Sequence, residues 1–323
     1  MVAHDDLPRW RGFNLLGKFR AEDESAFREE DFRWMDEWGF DFARLPMDYR
    51  CWTGETQTDI VEDALHDIDE AIEYGEKYGV HVSLNFHRIP GFCINRQELE
   101  PYDLFADEQA LEDAAEHWRT FTRRYEEIDS ERLSFNLFNE PVAPSEDAYE
   151  AVLETLVGAI REEDPERLVI ADGLGAGREP LETFADLGVA GGTRGYDPHE
   201  VTHYKADWVD GADEFPTPEW PRSSGGEEQN REWLRENVLA PWEKLETGVH
   251  VGEFGVYNET PHDVALALME DYLALWEELG WGWALWNLRG EFGVVDSGRD
   301  DVEYEDWHGH DLDRDLLELL QRY

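Results

Sequence analysis

The strongest constraint on the fold is a repeat of element type. Short apolar runs, rich in β-branched and aromatic residues, alternate with longer amphipathic stretches, the pattern of βα units around a parallel sheet. Strands are predicted over Trp10 to Leu16, Asp41 to Leu45, Val80 to Phe86, Leu133 to Phe138, Leu168 to Ala171, Val201 to Tyr204, Val249 to Glu253 and Trp281 to Trp286. Helical periodicity covers Ala26 to Trp38, Ile60 to Tyr78, Glu108 to Glu127, Asp147 to Arg161, Asn230 to Leu245, Asp263 to Leu279 and Leu312 to Gln321, with a shorter helix around Pro180 to Leu187. The run Leu133-Ser134-Phe135-Asn136-Leu137-Phe138 is nearly apolar throughout, which fits a strand buried between a barrel interior and a ring of helices. Eight such units predict an α/β fold, a closed (β/α)8 TIM barrel, as one domain over residues 1–323. An open doubly wound sheet is the competing arrangement. Its phosphate-binding turn has no counterpart, because Gly173-Leu174-Gly175-Ala176-Gly177 lacks the spacing and follows the fifth strand rather than the first.

In such a barrel the polar residues that end each apolar run face a substrate at the C-terminal mouth. Collected by that rule are Arg44 (second strand), His87 (third), Asn139 and Glu140 (fourth), His203 and Tyr204 (sixth), Glu253 (seventh) and Trp286 (eighth). Each alone has an ordinary structural explanation, a proline-stopped strand end, a barrel histidine or a core tryptophan. Together, in register with strand ends, they form a set. Two carboxyl groups about 5 Å apart are what retaining glycoside cleavage requires. Strands four and seven, on opposite sides of a narrow barrel, supply that pair as Glu140 and Glu253. Glu140, partly buried and facing another carboxylate, is expected to hold its proton, and Glu253 to be ionised through contacts with Arg44 and the Tyr204 hydroxyl.

At these residues the chain resembles glycoside hydrolase family 5, the cellulase-type barrel hydrolases. The resemblance runs through Arg11-Gly12-Phe13-Asn14, Arg44-Leu45-Pro46, Phe86-His87-Arg88-Ile89-Pro90-Gly91, Asn139-Glu140-Pro141, His203-Tyr204, Gly252-Glu253-Phe254-Gly255 and Trp286-Asn287. It implies Glu140 as acid/base, Glu253 as nucleophile, Asn139 as donor to the sugar 2-hydroxyl and Trp286 as the platform beneath the sugar. Arg44, His87, His203 and Tyr204 would line that subsite. One departure is Asn85, where many relatives carry an acidic residue two positions before the histidine. The activity implied is endo-β-1,4-glucanase action on soluble glucans or oligosaccharides; β-mannanase, exo-β-1,3-glucanase and β-glucosidase action on the same fold are the alternatives. The partner expected is therefore a β-linked oligo- or polysaccharide, with the oligomeric state left open.

Two other classes compete. A sugar-binding barrel without catalysis would have no need of both glutamates. A metal-dependent barrel would need a His-x-His pair at the first strand, where the sequence reads Gly12-Phe13-Asn14; His308-x-His310 lies near the C-terminus among acids, where a surface role is expected. No metal or cofactor is expected.

The formal charge of −49, from 77 acidic against 28 basic residues, argues against nucleic acid or an anionic membrane as partner. Only Lys18, Lys77, Lys205 and Lys244 are lysines. An acidic surface so poor in lysine points to work in concentrated salt, where self-repulsion is screened within a few ångströms. For Cys51 and Cys93 two free thiols are expected, one bridge between neighbouring loops being the alternative. The N-terminus has neither a basic region nor an apolar run, so a soluble, cytoplasmic protein is expected of the chain as it stands. The irregular stretch from Val209 to Gln229 is expected on the mouth side, either as a functional loop with Trp208 and Trp220 stacking on sugar or as a disordered insertion.

Overall fold

The computed structural model, which describes residues 2–323, contains a closed barrel of eight parallel strands. They are β1 Arg11–Asn14, β2 Phe42–Asp48, β3 His81–Arg88, β4 Leu133–Asn136, β5 Val169–Asp172, β6 Ala190–Gly195, β7 Val249–Phe254 and β8 Gly282–Leu285. Each pairs with its sequence neighbours, and β1 closes on β8 with Gly12 opposite Ala284. The larger outer helices are α1 Glu29–Trp38, α2 His66–Tyr78, α3 Glu108–Arg124, α4 Glu146–Glu163, α5 His262–Leu279 and α6 Arg314–Arg322.

Alternation along each strand builds two cores. On β3, Val82, Leu84 and Phe86 point outward, and Phe86 stacks on Trp118 of α3 at 4.0 Å. Its other face carries His81, Ser83, Asn85 and His87, all buried. Inside the lower end, Trp10 stacks on His81 at 3.7 Å and Phe42 packs against His250 at 4.3 Å. This aromatic plug fills the N-terminal end and leaves the polar residues to the upper one.

Helix ends follow local chemistry. Gly39 takes a left-handed φ of 83° after α1 and returns its N–H to Met35 and Asp36, a conformation that costs other residues a steric penalty. Ser145 caps α4 by accepting the Ala148 N–H.

The structure corrects the sequence reading in three places. The sixth strand is Ala190–Gly195, and Val201 lies instead in a short helix, His199–Thr202. Three glycines in β6 hid it from a hydrophobicity pattern, and packing explains them. A Cβ at Gly191 would lie 2.8 Å from Trp242, one at Gly192 would lie 2.4 Å from Asp172, and one at Gly195 would lie 2.7 Å from Phe254 and Trp276. The helix expected over Asn230 to Leu245 is broken into an α-turn at Arg231–Leu234, a π-turn at Arg235–Leu239 and a 3₁₀ turn at Trp242–Lys244 after Pro241. The stretch from Val209 to Gln229, expected to be irregular throughout, carries a 3₁₀ turn at Ala212–Glu214 and a hairpin of Arg222–Ser224 with Glu227–Gln229. Cys51 and Cys93 are buried and unbridged.

Candidate active site

Polar groups from β1, β2 and β4 to β7 meet at the mouth, joined through two buried arginines. Arg44 of β2 is 1% exposed. Its Nε donates to Asn136 at 2.9 Å, its Nη1 to Asn14 at 2.9 Å and Glu253 at 2.7 Å, and its Nη2 to Asn139 at 2.8 Å. Arg194 of β6 donates through Nε to Glu140 at 3.0 Å and through Nη2 to Asn139 at 2.9 Å and to Asp172. Its Nη2 also stands 3.6 Å from Glu253. One guanidinium therefore reaches both glutamates, which keeps the two carboxyl groups close.

The local backbone explains how these side chains converge. Between β6 and β7 the register shifts, with Thr193 opposite Val251 but Arg194 opposite Glu253, so Gly252 is an extra residue in β7. A bulge re-aims the following side chain, here turning Glu253 inward although Gly252 before it already faces the barrel. Glu140, just beyond β4, has a left-handed φ of 48°, and its N–H donates to Asp172 at 3.1 Å. That conformation costs an ordinary residue roughly 1–2 kcal/mol, so the hydrogen bond is part of what holds it.

Charge within this cluster nearly cancels. Glu140, Glu253 and Asp172 face Arg44 and Arg194, three carboxylates against two guanidiniums, so one bound proton makes the cluster neutral. Burial, then repulsion from Glu253, pushes the Glu140 carboxyl up to about 7. Glu253 is gripped differently, by Arg44 on one oxygen and by the Tyr196 hydroxyl on the other at 3.1 Å. Asn139 presents its Oδ1 to both arginines, which leaves its buried Nδ2 without a partner among the described residues and directs it as a donor.

The remaining expected residues divide. His87 is buried beside Phe19 at 4.4 Å and Trp286 at 6.0 Å; burial, then Arg44 and Arg194, hold it well below the usual histidine range and hence neutral. Trp286, with a cis peptide to Asn287, is half-buried and packs on Phe19 at 5.2 Å. Tyr204 does not supply the hydroxyl on Glu253. That hydroxyl is Tyr196's, because the true sixth strand ends one residue before it, while the Tyr204 ring lies under the Lys205 ammonium at 5.1 Å. His203 is likewise no strand end; its ring meets the edge of Tyr196 at 5.2 Å and stacks on His199 at 4.0 Å. Burial, then His199, lowers it to about 3.

Asn14, Asp172, Arg194 and Tyr196 were missed. Asp172 directly follows the apolar run of the fifth strand, so the rule that found the others should have included it. Arg194 and Tyr196 carry no such signal in their glycine-rich strand. Of the two loop tryptophans, Trp208 is 50% exposed and adjoins Tyr257 at 4.9 Å and Phe292 at 6.1 Å, near Tyr196. Trp220 instead donates to Asp271 on the outer helix α5 at 2.9 Å, away from the mouth. His308 stacks on Trp34 of α1 at 5.9 Å and His310 bonds Asp296 at 2.8 Å, both in or beside a hairpin of Glu305–Trp307 with His310–Leu312.

The family model described as cellulase (glycosyl hydrolase family 5) matches residues 7–292. Endoglucanase C of Acetivibrio thermocellus is 28% identical over 311 residues, covering 87% of this chain and 90% of that protein. Cellodextrinase A of Ruminococcus flavefaciens is 27% identical over 263 residues, covering 77% and 76%. Among solved structures, one described as a glycoside hydrolase is 36% identical with a TM-score of 0.92, covering 97% of this chain and 99% of the other. An endoglucanase from Thermotoga maritima, 23% identical with a TM-score of 0.78 and coverage of 96% of both chains, shares the fold.

Proposed function

Because the chain belongs to glycosyl hydrolase family 5, the cellulase family, we propose that this glycoside hydrolase is a retaining endo-β-1,4-glucanase acting on soluble glucans and oligosaccharides, with Glu140 as acid/base and Glu253 as nucleophile. The observation that carries the assignment is the unequal treatment of two carboxyl groups under one guanidinium. Glu140 holds a proton near neutrality, while Glu253 is aimed by Arg44 and Tyr196.

In the first step Glu140 gives its proton to the glycosidic oxygen as Glu253 attacks the anomeric carbon, forming a glycosyl ester and releasing the leaving sugar. In the second, Glu140 takes a proton from water, the water oxygen attacks the anomeric carbon, and Glu253 leaves as a carboxylate. Esterification removes the Glu253 charge that raises Glu140, so Glu140 stays ionised as the base of the second step, and turnover restores that charge and with it the raised pKa that lets Glu140 hold the next proton. On this reading Asn139 Nδ2, a buried donor without a partner among the described residues, bonds the sugar 2-hydroxyl, and Trp286 lies beneath the ring. Glucanase action is supported by the names of two relatives, an endoglucanase and a cellodextrinase. The charge of −49 supports the further reading that the enzyme works in concentrated salt.

The testing experiment is a hydrolysis screen over β-1,4-glucan, β-1,3-glucan, mannan and short oligosaccharides at high and low salt, with NMR of the first-formed anomer. Internal cleavage of β-1,4-glucan with the β-anomer first is expected, and first release of the α-anomer would refute retention. The fold, followed by circular dichroism, should be lost at low salt; full stability there would count against salt adaptation. For pH, Glu140 must be protonated to act, so kcat/KM should fall as pH rises through about 7. A profile flat to pH 9 on a substrate with a poor leaving group would remove Glu140 from that role.

A further inference from the structure

Arg194 is bound more tightly than the two-step reaction requires. It is buried, its Nη1 donates to the Thr193 carbonyl at 3.0 Å, and its other nitrogens hold Glu140, Asn139 and Asp172. Space has been cleared for it, since a Cβ at Gly252 would lie 2.8 Å from Nη1 and one at Gly177 2.7 Å from its Cγ. Asp172 is equally committed: one oxygen accepts from Asn136 at 3.0 Å, and the other accepts both the Glu140 N–H and Arg194. Glu140 is thus held twice, by its backbone and by its carboxyl, from two members of one ion pair.

We propose that Arg194 and Asp172 are a positioning pair for Glu140, in which Asp172 fixes the residue's left-handed backbone, Arg194 aims its carboxyl, and their opposite charges act in opposite directions on its proton. This rests on the reading of Glu140 as the acid/base. Asp172 acts on Glu140 through its backbone N–H and Arg194 through its carboxyl, with Glu253 3.6 Å from the same guanidinium. The charged and titratable groups facing Glu140 are Glu253 from β7, Arg194 and Tyr196 from β6 and its end, and Asp172 from β5, with Arg44 behind Glu253. Of these, Arg194 favours the ionised carboxyl, whereas Glu253 and Asp172 oppose it. Removing Arg194 should therefore make Glu140 hold its proton to higher pH, and removing the Asp172 charge should make it release the proton at lower pH.

The test uses the full chain as Arg194→Met, Arg194→Lys and the near-isosteric Asp172→Asn, with circular dichroism to confirm folding. Two substrates are compared across pH: an alkyl β-cellobioside, whose departure needs a proton, and 2,4-dinitrophenyl β-cellobioside, whose departure does not. On the alkyl substrate the basic limb of kcat/KM should move up by about one pH unit in Arg194→Met and down by about one in Asp172→Asn, with Arg194→Lys between the first and the wild type. Arg194→Met should lose about a hundredfold in kcat/KM on the alkyl substrate and under about tenfold on the dinitrophenyl one, since kcat/KM reports only the first step. If Asp172→Asn and Arg194→Lys, the variants that change least in shape, leave the limb where it is, or if both substrates lose equally, the pair is merely structural and the proposal fails. Glu140→Gln separates the two levels of inference. Full activity of that variant on the alkyl substrate would overturn the acid/base assignment itself, while its inactivity beside unmoved limbs in the other variants would overturn the positioning pair alone.

Discussion

Glu253→Ala is expected to lower kcat on soluble β-1,4-glucan by on the order of 10⁴-fold or more, because the covalent step loses its attacking oxygen and no neighbouring group replaces it. The truncation also leaves room at the anomeric carbon. Small anions should then enter, and azide should restore cleavage of a dinitrophenyl cellobioside while yielding the α-glycosyl azide, formed by one displacement instead of two. Stability should suffer little, since the cluster keeps Asp172 and Glu140 opposite Arg44 and Arg194. Activity equal to wild type, or azide rescue giving the β-azide, would show that Glu253 is not the nucleophile.

Arg44→Met should be the most damaging single change in the mouth for stability. The arginine is 1% exposed and its hydrogen bonds run to Asn14, Asn136, Asn139 and Glu253, so methionine fills most of the volume but satisfies none of them. Arg194 is left facing three carboxylates. Breaking a buried pair from one side costs about 3–5 kcal/mol, because the other charge stays buried without compensation. At roughly 2–4 °C per kcal/mol, the midpoint of thermal unfolding should drop by on the order of 10 °C. Since the penalty is the orphaned carboxylate, Glu253→Gln in the same chain should recover part of the loss. A shift under about 2 °C, or strict additivity in the double variant, would mean that Arg44 and Glu253 are not coupled as the 2.7 Å contact implies.

Several features of the mouth were legible in the order of residues. A strand buried on both faces is an apolar run, its last polar residue stands at the mouth, and His87, Asn139, Glu140, Glu253 and Trp286 follow from that rule, whereas Arg44, read as a strand end, lies inside a strand that runs on to Asp48. The rule fails where packing overrides propensity. The sixth strand is glycine-rich because Trp242, Asp172, Phe254 and Trp276 crowd it from neighbouring elements, and no local pattern encodes neighbours that are distant in sequence. The more β-like Val201-Thr202-His203-Tyr204 took its place in the reading, and Tyr204 was thereby given the contact that Tyr196 makes.

The alternation of strands and helices, and with it the closed eight-stranded barrel, was legible in the sequence alone, since hydrophobic periodicity is a property of adjacent residues. Only the tertiary structure decided which guanidinium bridges the two glutamates, which tyrosine holds Glu253, and that a bulge at Gly252 turns Glu253 inward. Those outcomes depend on the curling of the sheet into a closed ring, which brings side chains from β2 to β7 within hydrogen-bond reach across the mouth. They depend equally on charge balance in a buried cluster, where the state of each carboxyl is set by all the others.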